Sequence, residues 1–120
     1  MGHTYVELTV FTSKGEYKER GVMVDTGATY TILPQNILEK IGAFKLPTKV
    51  PLELGDGRTI EAETFAASAK IADREGPIII ASFENAKPLI GVQTLESLGL
   101  KVNPVTGELE ETRPKGIAYL

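Results

Sequence analysis

The chain has 120 residues and 13.0 kDa, which fits one domain spanning 1–120; its 42% hydrophobic and 24% charged residues argue against disorder as the main state. A net charge of −3 without a long basic run disfavours a nucleic-acid partner, and no apolar run approaches the roughly 20 residues that span a bilayer, so no membrane partner is expected. The lack of cysteine removes disulfides, thiolate metal sites and cysteine nucleophiles. The one histidine, His3, stands near the N-terminus, poorly placed for a triad or a multi-histidine metal site. Met1 to Val10 lacks the basic start and apolar centre of a signal peptide, and a cytoplasmic protein is expected.

Tyr5 to Thr12 is rich in β-branched and aromatic residues and reads as a strand. Ser13-Lys14-Gly15 is a turn, and Glu16 to Val24 resumes as a second strand ending in the apolar run Val22-Met23-Val24. After Asp25-Thr26-Gly27-Ala28, Thr29 to Leu33 is again strand-like. Pro34 to Ile41 predicts a short helix, with proline in its first turn and Gly42 closing it. Val50 to Leu54 and Arg58 to Ala72 predict strands flanking a Gly55-Asp56-Gly57 hairpin tip. Ala72-Asp73-Arg74-Glu75 reads as a solvated turn and Ile78-Ile79-Ile80 as a buried strand. A second short helix is expected over Val92 to Leu98. Leu100 to Asn103 and Glu108 to Glu111 then flank a Pro104-Val105-Thr106-Gly107 turn, and Arg113 to Leu120 is expected to be partly loose.

An internal echo crosses this order. Leu38-Glu39-Lys40-Ile41-Gly42 returns 57 residues later as Leu95-Glu96-Ser97-Leu98-Gly99, and the same offset pairs Leu33 with Ile90. Two similar halves are expected, each a strand crossing followed by a short helix. The same shift carries the Asp25 motif onto Ser82-Phe83-Glu84-Asn85, which has no aspartate.

The Asp-Thr-Gly-Ala motif holds the sharpest chemistry. Asp25 ends an apolar strand, so its carboxyl is expected to leave water, and a buried carboxyl is a candidate acid or base. Gly27 allows close approach of another backbone. The Thr26 hydroxyl can bond a neighbouring backbone group. Ala28 is small and adds no side-chain donor. The plainer reading of Asp25 is a turn or cap aspartate.

With Val22-Met23-Val24-Asp25-Thr26-Gly27-Ala28, the hairpin around Leu54-Gly55-Asp56-Gly57-Arg58, and Leu89-Ile90-Gly91 followed by Leu95, Leu98 and Gly99, the chain resembles the retropepsin-like (retroviral-type) aspartic proteases from about Tyr5 to Asn103. The resemblance implies a mostly β, closed barrel-like domain with one or two short helices, active as a two-fold homodimer on a peptide or protein substrate. Carried onto this chain, Asp25 is the catalytic aspartate. Thr26 interlocks with its copy in the partner, and the Gly27 carbonyl accepts a substrate backbone bond. Gly55, Asp56, Gly57 and Arg58 form a flap, and Ile32 and Ile90 line side-chain pockets. No metal or organic cofactor is implied. The flap here is more polar than the viral one, and Thr29-Tyr30 replaces an acidic pair of the viral pattern.

The residues argue for pairing on their own account. The aspartates are Asp25, Asp56 and Asp73, and only Asp25 has the strand-end glycine motif. A closed two-fold pair brings such a residue against its own copy. The hairpin from Leu100 to Glu111 is expected in the dimer interface; the alternative is that it covers the core. Two rival functions stay open: a weakly active or non-proteolytic dimerising, peptide-binding module on the same fold, and a ligand-binding β domain with a structural Asp25.

Overall fold

The computed structural model describes residues 3–119; Met1, Gly2 and Leu120, at the ends of the N-terminal segment and of the tail expected to be partly loose, lie outside the described residues. Alternating apolar residues build the first hairpin. β1 (Thr4–Thr12) and β2 (Gly15–Val24) pair antiparallel around Ser13-Lys14. The register shifts between Val6 and Leu8, opposite Gly21 at φ 67, a bulge that glycine accommodates without strain. Leu8, Val10, Val22 and Val24 thereby all enter the core.

Next come β3 (Thr31–Ile32) and α1 (Gln35–Lys40), then β4 (Phe44–Lys45) and β5 (Val50–Glu53). The long β6 (Thr59–Ile71) and β7 (Arg74–Ser82) form the central hairpin. α2 (Val92–Leu98), β8 (Leu100–Val102) and β9 (Leu109–Glu111) complete the order. The chain is mostly β with two short helices among the described residues. The main sheet runs β2-β1-β6-β7-β3, antiparallel except for the parallel β3–β7 pair; β8 and β9 pair apart from it.

β6 is the spine. Along one edge Glu63 to Ile71 pair with β7. On the other edge β6 meets β5, then β4, then β1 in turn. α2 packs on β7, placing Leu95 and Leu98 in the core beside Ile78 and Ile80.

Several expectations need correction. The strand ladder does not close into a barrel: β2 and β3 remain its ends, joined only through isolated bridges from Ile90 to Val24 and from Leu89 to Ile32. The third strand is two residues long rather than Thr29 to Leu33, because the Thr29 carbonyl accepts from Gln93 in α2 instead of a sheet neighbour. Arg74 is 4% exposed, not in a solvated turn. The tail is tied down by Arg113, which donates to the Glu96, Ser97 and Ile117 carbonyls.

The internal echo is real in three dimensions. α1 and α2 begin 57 residues apart, and Gly42 and Gly99, the same distance apart, both sit at φ 72 where a helix ends. The third strand of the first half pairs in parallel with β7, and Ile90 of the second half pairs in parallel with β2.

Candidate functional site

β2 alternates until Val24 enters the core, and the chain then turns. Asp25 donates its backbone N–H to the Ile90 carbonyl at 2.9 Å, and its Oδ1 accepts the Gly27 N–H at 2.9 Å. Ala28 donates to the Asp25 carbonyl at 3.1 Å, closing a tight turn with Thr26 and Gly27 exposed at its apex. Asp25 itself is half-buried. Within one chain the Asp25 carboxyl is therefore not withdrawn from water as the sequence pattern leads one to expect.

The turn rests on a crossing of two segments. Ile90 donates to the Met23 carbonyl at 2.9 Å, while Ile32 and Leu89 exchange bonds of 2.8 and 3.0 Å. Gly91 passes so close that a Cβ there would stand 2.4 Å from the Tyr30 carbonyl carbon. The first N–H groups of α2, which have no partner inside the helix, are used here: Val92 donates to the Ala28 carbonyl at 2.8 Å and Gln93 to the Thr29 carbonyl at 2.9 Å. Beneath them the Thr31 and Thr94 hydroxyls meet at 2.6 Å, both fully buried, and Thr31 Oγ1 also accepts the Gly91 N–H at 3.2 Å.

Asp25 and Thr26 line an open cavity of about 360 Å³. His3 and Thr4 stand on one side, with Val102, Asn103 and Pro104 of the C-terminal hairpin on the other. Thr4 Oγ1 donates to the Gly107 carbonyl at 2.5 Å and holds that hairpin against β1. No local pattern signals this contact; only the chain's return past β1 creates it. Leu100 is buried, and Val102 and Leu109 pack on the core, so the hairpin covers the core within one chain.

The Gly55-Asp56-Gly57-Arg58 tip is a tight, exposed turn. Leu54 accepts from Gly57 at 2.9 Å and donates to Arg58 at 2.7 Å. Asp56 Oδ1 accepts the Arg58 N–H at 3.0 Å and Oδ2 meets Arg58 Nε at 2.7 Å. The backbone bond first, then the guanidinium, holds the Asp56 carboxyl below its ordinary range. That support is present above the ordinary carboxylate range and is lost as pH falls through the lowered value. A second cavity, about 520 Å³, lies between Leu54, Arg58 and Ile60 on this arm and Phe83 and Glu84 after β7. The hairpin and Asp25 therefore line different cavities within one chain.

Of the two expected pocket residues, Ile32 is half-buried beside Leu89. Ile90 is fully buried in the core. Neighbours in an extended segment face opposite sides, so the half-buried Leu89 is the residue of that pair turned outward. Among the described residues no cluster of three His, Cys, Asp or Glu side chains forms a metal-holding group, and no helix is long and apolar enough to cross a membrane. No protein-family model matches the chain, and no curated protein matches it.

Proposed function

We propose that this chain is a retropepsin-like aspartic endopeptidase that works as a two-fold homodimer. The observation that carries the reading is the acid turn: Asp25 to Ala28 stands at a strand end, braced from behind by Ile90 and α2, with Thr26 and Gly27 free at its apex. Such a turn presents one carboxyl rigidly and leaves the face beside it open to a second copy.

In the dimer the two Asp25 carboxyls crowd together and share a proton, as aspartic proteases do in general. The ionised member takes a proton from a bound water, which attacks the scissile carbonyl. The protonated member polarises that carbonyl and then donates to the leaving nitrogen. The Leu54–Arg58 arm closes over the peptide, and Ile32 with Leu89 contacts its side chains. The reaction needs a peptide, water and two carboxyls, and calls for no cofactor. A cytoplasmic setting belongs to the same reading.

The test is digestion of a peptide library between about pH 3 and 7, with wild type and Asp25→Asn side by side and the oligomeric state followed by light scattering. Cleavage by a dimeric wild type, lost in the variant, is expected. A monomeric wild type, or cleavage retained by Asp25→Asn, defeats the proposal. One observation favours the non-proteolytic module instead: Asp25 Oδ1 caps its own turn through the Gly27 N–H, a role that needs no chemistry. Peptide binding without turnover at every pH would select that reading.

A further inference from the structure

α2 has seven residues, far too few to be stable alone, so its order comes from what holds its flank and its two ends. Gln93 Oε1 accepts the Ile79 N–H at 3.1 Å and seats one flank on β7. The first turn supplies the two N–H groups that grip the Ala28 and Thr29 carbonyls.

Two arginines hold the last turn. Arg74 Nη1 donates to the Leu98 and Gly99 carbonyls at 3.1 and 3.2 Å. Arg113 Nη1 donates to the Glu96 carbonyl at 2.9 Å and its Nη2 to the Ser97 carbonyl at 2.6 Å. The two are linked, since Arg74 Nη2 donates to the Arg113 carbonyl at 2.7 Å. Arg113 Nε donates to the Ile117 carbonyl at 2.7 Å and folds the following segment back on itself.

We propose that Arg113 is a positioning residue for the Asp25 turn. Its guanidinium fork closes the C-terminal end of α2, and a helix of this length has only about two turns to fray. Loosening the last turn leaves a single turn to hold Ala28 and Thr29 in place. The segment after β9 thus sets the rigidity of the acid turn from the opposite end of the helix, about 10 Å away. The coupling itself is independent of protease activity; its effect on cleavage rests on the function proposed above.

The test uses the full chain, with Arg113→Ala and Arg113→Lys, and reads amide hydrogen exchange residue by residue. In Arg113→Ala the Val92 and Gln93 amides are expected to exchange about tenfold faster, while those of the β6–β7 pair keep their protection. Arg113→Lys, which retains charge without the fork, gives a smaller rise and serves as the readable variant if Arg113→Ala does not fold. Unchanged Val92 and Gln93 amides in both variants, or an equal rise throughout β6 and β7, overturn the proposal. In the cleavage assay the expected change is a lower kcat at constant KM. A wild type that cleaves no peptide sinks the protease reading, while the exchange result still decides the coupling.

Discussion

In the first half of the chain Ala28 donates to the Asp25 carbonyl at 3.1 Å; in the second, Ala86 donates to the Phe83 carbonyl at the same distance. Each turn follows the second strand of a long hairpin, and each half sends a later segment to pair in parallel with the other half's hairpin. The turn bond is repeated, but one residue beyond the 57-residue offset, and neither the dihedrals nor the chemistry follow it. Phe83 stands where the first turn has Asp25, and Asn85, left-handed at φ 63, stands where it has Gly27, which is not left-handed. The second turn carries Glu84 but no strand-end aspartate, so the Asp25 pair proposed above requires a second copy of the chain. The helices differ as well: α1 ends on backbone bonds from Gly42 and Ala43, whereas α2 has two arginines on its last carbonyls. The half that lacks the Asp-Thr-Gly motif braces the one that carries it.

The largest effect expected from breaking this asymmetry is on activity. Asp25→Asn keeps the Oδ1 acceptor for Gly27, so it folds, and peptide cleavage falls at least about 10³-fold. Asp73→Asn, exposed and 3.4 Å from Lys115, leaves the cleavage rate unchanged. Next comes the crossing: Gly91→Ala drives a methyl into the Tyr30 backbone and costs about 3 kcal/mol in denaturant unfolding. Gly55→Ala, with open space around it, stays within about 0.5 kcal/mol. The helix ends sharpen the contrast. Arg74→Met strands three buried or half-buried carbonyl contacts and costs about 2 kcal/mol, against about 0.5 kcal/mol for Lys40→Ala in the last turn of α1.

The smallest effect belongs to β2 alone. Burial first, then the Glu19 carboxylate, raises the Tyr17 phenol from 10.0 to about 12. Folding therefore favours the protonated phenol. Its contribution is complete below pH 10.0 and is lost as pH rises through about 12. Ultraviolet titration should show this late tyrosinate, and Tyr17→Phe should remove it.

Local pattern carried much of this architecture. Val92 to Leu98 could be read as a helix because its apolar residues share one face, and the first hairpin followed from alternation around Ser13-Lys14. Glu75, Gly76 and Pro77 look like a turn, yet they join β7 because Ala69 and Ser68 of β6 pair with Gly76 and Pro77. Phe44-Lys45 became β4 for the same reason, through Ala66 and Phe65. The buried Arg74 was invisible because its partners, three carbonyls and the Glu111 carboxylate, lie 24 and more residues away. The position of Asp25 was legible; its bracing by α2 was not, because those bonds are made by backbone groups that every sequence has.

The long β6 makes the Leu54–Arg58 arm a cantilever. Residues Thr59 to Ala62 have β5 as their ladder partner, and at Glu63 the strand is clamped by β7. Bending strain in such a beam collects at its fixed end, where Glu63 reaches both Lys45 at 3.3 Å and Lys49 at 3.6 Å. Salt that screens these two partly exposed pairs is expected to soften the root of the arm slightly, while the length paired with β7 keeps its shape.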